Sequence, residues 1–143
     1  NRQIAAGTWL LDLVGDSAGI SRAGQFVNVE VPGFYLRRPF SVYNWSPGAL
    51  QLIYKELGQG TQALTLIQPG TALSLLSGLG NGFRPFPDTR PLVVGGGVGV
   101  VPLFALVREL VRIGQQPQVI LGFGGAAGTA GFCHRRSAAR YRL

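Results

Sequence analysis

Apolar and polar positions alternate along the first half of the chain and bunch together along the second. Phe26, Val27, Asn28, Val29, Glu30 and Val31 show the alternation well, with Gly24 before them and Pro32-Gly33 after. A two-residue period is that of a strand with one buried face. The same reading gives strands over Thr8–Val14, Gln25–Val31, Leu36–Asn44, Leu50–Leu57 and Thr71–Leu76. Ser46-Pro47-Gly48 is a turn, and Thr61–Ile67 a short helix ended by Pro69-Gly70. Pro39 falls in the middle of a strand, where its missing N–H asks for a sheet edge or a bulge. Short strands at this spacing predict a six-stranded antiparallel β barrel.

The pattern then changes. Pro85-Phe86-Pro87-Asp88 is a connector, and Pro91–Val94 is a short apolar run fit for a strand buried on both faces. Gly95-Gly96-Gly97-Val98-Gly99 follows it. Pro102–Ile113 has helical spacing, with Leu103, Leu106, Val107, Leu110 and Val111 on its apolar face and Arg108, Glu109 and Arg112 elsewhere. Pro102 suits the first helical turn, and Gly114 suits the C-cap. Val119–Phe123 is the next strand. Strand, helix and strand in that order predict a β-α-β unit of a partial α/β domain. The predicted division is a barrel over 1–87, the start of an α/β domain over 88–123, and an atypical tail over 124–143.

Composition adds limits. The 143 residues are 46% hydrophobic, enough for a core, and 22 glycines with nine prolines fit turns and short strands better than a helical bundle. There is no methionine and the chain begins at Asn1, so it reads as a fragment. The α/β part reads as cut short, because two parallel strands make a poor domain. Net charge is +7, but four of the 13 basic residues lie in the tail after Gly131, which has no acid. The rest carries no nucleic-acid motif. The tail itself reads as a linker or a reading-frame artefact. Cys133 is the single cysteine, which fits a reducing, cytoplasmic setting. With His134 it supplies too few ligands for a metal. Pro91–Val107 is broken by glycines and Pro102, so no membrane span is expected, and no signal peptide is evident.

Two short motifs carry candidate chemistry. Arg38-Pro39-Phe40-Ser41 offers a permanent cation, a rigid bend, an aromatic and a hydroxyl. Gly58-Gln59-Gly60-Thr61 opens the short helix, where backbone N–H groups favour anions. Together they suit a flat aromatic ligand carrying phosphates. Gly97-x-Gly99-x-x-Pro102, between a strand and a helix, sits where a pyrophosphate binds, although proline replaces the third glycine of the usual fingerprint. A tight β-to-α turn needs the same small residues, and Arg37, Arg38 and Phe40 also read as edge charges and core.

With Ile53-Tyr54-Lys55 and Gly78-Leu79-Gly80-Asn81-Gly82-Phe83, these motifs fall in the order seen in the ferredoxin reductase-like superfamily. From Gly7 to Phe123 the chain resembles, more closely, the electron-transfer subunits of NAD-dependent dihydroorotate dehydrogenases. The resemblance implies a flavin-binding barrel followed by a nicotinamide-binding domain. It implies FAD contacts at Arg38, Pro39, Phe40, Ser41, Ile53, Tyr54, Lys55, Gly60 and Thr61, with Arg38 on phosphate and Ser41 near the reactive edge of the ring. Gly95, Gly97 and Gly99 would serve NAD(H). No side chain need act as an acid or base, so no catalytic residue is expected.

The family function so implied is electron transfer from a catalytic dihydroorotate dehydrogenase subunit to NAD+ in pyrimidine synthesis. The family also carries a [2Fe–2S] cluster on four cysteines, and this chain has one. Two alternatives remain open. One is another reductase of the superfamily, such as those linked to sulfide dehydrogenase or glutamate synthase. The other is a non-catalytic barrel that only binds a partner or nucleic acid.

Overall fold

A computed structural model describes residues 1–124. Cys133, His134 and the basic tail lie outside the described residues. The strands are β1 (Arg2–Ala5), β2 (Thr8–Val14), β3 (Phe26–Val29), β4 (Arg38–Ser46), β5 (Ala49–Lys55) and β6 (Leu75–Leu79), with helix α1 at Gln59–Thr65. They form one antiparallel sheet in the order β1-β2-β5-β4-β3-β6. Among the described residues no ladder joins β1 to β6, so the sheet is curled but open, where the sequence predicted a barrel.

Strand β4 makes the sheet turn its corner. Its first half, Arg38–Ser41, pairs with β3, and its second half, Val42–Ser46, pairs with β5 across an irregularity between Val42 and Asn44. Pro39 was expected at an edge or a bulge; β4 lies inside the strand order, but at Pro39 it is locally an edge. The proline is tolerated because the β5 ladder begins only at Val42, so Pro39 has a partner on one side alone. Inside the curl, Val27, Val29, Val31, Val42, Leu52 and Leu64 are almost wholly buried. Leu64 brings α1 into this core, which also takes in Phe40 and Tyr54.

Two strand predictions needed correction. Strand β1 was not expected, because Asn1-Arg2-Gln3 is polar, yet it pairs with β2 as an edge. The last sheet strand is Leu75–Leu79, not Thr71–Leu76. Gly78 hides it from propensity: its φ is +70°, and a Cβ there would lie 2.7 Å from the Gly19 carbonyl oxygen. The short helix starts earlier than predicted, at Gln59.

Beyond the connector come β7 (Leu92–Gly96), a 3₁₀ turn (Gly97–Val100), α2 (Val101–Arg112) and β8 (Gln118–Gly122). Strands β7 and β8 pair in parallel, as a β-α-β unit requires. Pro102 lies in the first turn of α2. Gly114, at φ +84°, ends the helix, and the N–H groups of Gly114 and Gln115 donate to Val111 and Leu110. The predicted apolar face of α2 holds at four of its five positions: Leu110 is buried and Leu103, Leu106 and Val107 are half-buried. Val111 is exposed, while Val101, Ala105 and Leu110 are buried. The helix has a second packed face, because it lies on the sheet as well as on β7.

Candidate functional site

The two arginines before Pro39 have different fates. Arg37 is held by Glu30 at 2.6 Å and by the carbonyl and hydroxyl of Ser74, each at 2.9 Å. Arg38 donates to the Leu36 carbonyl and stacks over the Phe34 ring, 5.1 Å from its centroid. Among the described residues Arg38 has no carboxylate partner. Its guanidinium instead lies against Gly60, the second residue of α1: a Cβ at Gly60 would sit 2.7 Å from Arg38 Nε. The two motifs singled out in the sequence therefore meet.

At that meeting point the helix start is built by Thr61. Its hydroxyl oxygen accepts from the N–H groups of Leu57 (2.9 Å) and Gly58 (3.1 Å), and its O–H donates to the Gly58 carbonyl (2.9 Å). The Thr61 hydroxyl is thus spent on its own turn. What the turn leaves available are the first backbone N–H groups of α1, which have no intrahelical partner. A cation beside unpaired N–H groups is a surface to which anions are drawn.

Other predicted residues split between the faces of the sheet. Phe40 was expected against a ligand ring. It is 8% exposed and packs on Tyr54, with ring centroids 5.4 Å apart, so its side chain is core. Tyr54 is buried as well. Its hydroxyl donates to Asn1 Oδ1 at 3.2 Å, and burial, helped by the nearby Glu56 charge, pushes its pKa up to about 12. Lys55 is exposed at the end of β5.

Strand alternation puts Pro39 and Ser41 on the outer face, opposite Phe40 and Val42. Val42 pairs with Leu52, so Ile53 shares that outer face with Ser41. Ile53 is buried there with Leu10 and Val101, the first residue of α2. The start of α2 thus stands over the strand that follows β4 in the chain, and the glycine turn comes with it. Of its glycines, Gly95 serves packing, since a Cβ would strike Leu103 Cδ1 at 2.4 Å. Gly97 (φ +54°) and Gly99 have open space around them.

A corner that draws anions at one end of β4 and an open glycine turn over the outer face are joined by a single sheet. No family model matches the chain. A solved NADH-dependent reduced ferredoxin-NADP oxidoreductase superposes with a TM-score of 0.80 at 26% identity, over 88% of this chain and 47% of that one. The chain belongs to the ferredoxin reductase-like superfamily. Phthalate dioxygenase reductase shares the superfamily fold, with a TM-score of 0.72 over 91% of this chain and 43% of its own. Among curated superfamily members, the electron transfer subunit of dihydroorotate dehydrogenase B from Geobacillus kaustophilus is 40% identical over 131 residues, covering 85% of this chain. The subunit from Streptococcus mutans is 33% identical over 129 residues, again 85% of this chain. The chain spans about half the length of these curated relatives, 51% and 50% respectively.

Sequence reading missed the contacts that seat α2. Phe104 stacks on Tyr43 with centroids 4.5 Å apart, and Arg108 donates to Asn44 Oδ1 at 2.5 Å. The signal was there as spacing: Val101, Phe104, Ala105 and Arg108 form an i, i+3, i+4, i+7 stripe.

Proposed function

We propose that this chain is the flavin-binding part of a dihydroorotate dehydrogenase electron-transfer subunit, binding FAD on the sheet and NAD(H) at the glycine turn. In that reading, residues 1–87 form the flavin domain and 88–123 begin the nicotinamide domain. The partner is the catalytic subunit, the setting is the cytoplasm, and electrons pass from that subunit to NAD+. The observation that carries the reading is Arg38: a cation without a carboxylate partner among the described residues, laid against the first turn of α1 at Gly60. The curated relatives at 33–40% identity support it.

The residues fit the group. Arg38 pairs with a diphosphate as a permanent charge, and the backbone N–H groups of Gln59, Gly60 and Thr61 complete the corner. Thr61 stiffens the turn through its three hydrogen bonds. Ser41, on the outer face beside Ile53, offers a hydroxyl to the polar edge of a ring lying there. Phe40 and Tyr54 hold β4 and β5 in place from beneath. Gly97 and Gly99 leave the backbone bare, so a dinucleotide can approach closely. When bound, a flavin supplies exchange of hydride with a nicotinamide and of single electrons with other carriers. No residue at the site has to move a proton.

The test is reconstitution. The purified protein mixed with FAD and desalted should keep a flavin visible spectrum, and loss of all flavin absorbance would sink the reading. A barrel that only binds a partner predicts that loss. Coding sequence for a dihydroorotate dehydrogenase catalytic subunit beside this gene would separate the reading from the other reductases of the superfamily.

A further inference from the structure

A directional chain of hydrogen bonds runs across the sheet under α2. Arg108 Nη1 donates to Asn44 Oδ1 at 2.5 Å. Asn44 Nδ2 donates to Gln51 Oε1 at 3.1 Å, and Gln51 Nε2 donates to Asp12 Oδ1 at 2.7 Å. The chain thus starts on α2 and crosses β4, β5 and β2. A cation stands at one end and a carboxylate at the other, so each amide has one sensible orientation: oxygen toward the arginine, nitrogen toward the aspartate. The Arg108 guanidinium also lies over the Trp45 ring, 6.0 Å from its centroid, and one helical turn earlier Phe104 stacks on Tyr43. Three consecutive residues of β4 therefore hold α2.

We infer that this chain is a positioning device and that Arg108 is its positioning residue, fixing the glycine turn relative to the outer face that carries Ser41 and Ile53. The inference rests on the flavin and nicotinamide reading above. Its geometry is a lever with two supports. Val101, next to the glycine turn, is pinned in the cluster with Leu10 and Ile53. Arg108, two turns further on, is pinned to Asn44. With the second support gone, α2 can pivot about the first, and the turn moves over the sheet. Arg108 is remote from the proposed phosphate corner, which uses the other half of β4. Flavin uptake and the spacing between the two sites should therefore respond separately.

The experiment uses the full protein and the variants Arg108→Ala, Asn44→Ala, their combination, and Arg108→Lys, which keeps a cationic donor. Hydrogen exchange across residues 97–108 is the readout that needs no cofactor. Each alanine variant should speed it about two- to fivefold, as expected for an exposed charged contact. The double variant should do no more than either single one, and Arg108→Lys should recover most of the protection. With FAD loaded, flavin content should match the wild type. The rate of flavin reduction at saturating NADH should fall about tenfold or more, with half-saturation unchanged, because misplacement costs rate before binding. Unchanged exchange, fully additive exchange, or flavin loss in step with the exchange overturns the inference. A wild type that takes up no FAD sinks the flavin reading, while exchange still decides the clamp.

Discussion

The Arg38 guanidinium fills the space where a side chain at Gly60 would begin, with Nε only 2.7 Å from the position of a Cβ. Neither residue needs the other for its own secondary structure. Arg38 opens β4, and Gly60 is in the first turn of α1. Their contact forms the corner proposed for the phosphates, and that proposal can be tested from both sides.

Removing the charge with Arg38→Ala should weaken FAD binding about ten- to a hundredfold, the value of a hydrogen bond to a charged group. Fluorescence titration of flavin reads this directly. Gly60→Ala should weaken FAD too, by displacing the guanidinium. Helix propensity favours alanine over glycine by about 1 kcal/mol, so the melting temperature should hold or rise. Equal flavin affinity in both variants and wild type would remove Arg38 from the site.

Arg37→Ala is the matched control. Its partners are Glu30 and Ser74, at the surface of the sheet. The expected cost is stability alone, about 0–1 kcal/mol, with flavin affinity unchanged. Urea unfolding and the same titration separate the two arginines.

The glycine turn should divide in the same way. Gly95→Ala drives a methyl group into Leu103 and should cost about 1–3 kcal/mol of stability. Gly99→Ala meets nothing within 4 Å and should leave the melting temperature unchanged, while hindering dinucleotide approach. NADH titration of the flavin-loaded protein, beside thermal melts, tests the split.

Tyr54 predicts an alkaline limit. Its pKa is raised to about 12, first by burial and then by Glu56, so the folded state holds the phenol proton more tightly than the unfolded chain. That contribution is complete below the ordinary tyrosine pKa of about 10 and is lost as pH rises toward 12. Urea midpoints should therefore fall across that window in the wild type, and fall less in Tyr54→Phe. Parallel curves for the two proteins would contradict the assignment.

Much of this was legible beforehand. Strands over Thr8–Val14 and near Phe26–Val29 could be read because alternation and turn residues are local signals. The glycine turn was legible for the same reason: strand, small residues and helix follow one another in the chain. Arg38–Ser41 and Gly58–Thr61 could both be recognised as motifs.

Their assignment to faces could not. Alternation separates Arg37 from Arg38 but does not say which one meets a helix start. That depends on α1 and on Ser74, both distant in sequence. Phe40 and the Thr61 hydroxyl looked available because their partners, Tyr54 in one case and the Leu57–Gly58 backbone in the other, consume them only once the chain has folded.

The sequence by itself determined the kinds of element, their order and the motifs that mark the resemblance to ferredoxin reductase-like proteins, since these depend on neighbours along the chain. The tertiary structure alone decided that Arg38 faces Gly60, that among the described residues no ladder joins β1 to β6, and that α2 lies on β4 through Phe104 and Arg108. Those outcomes follow from close packing of side chains far apart in sequence, and no period along the chain encodes them.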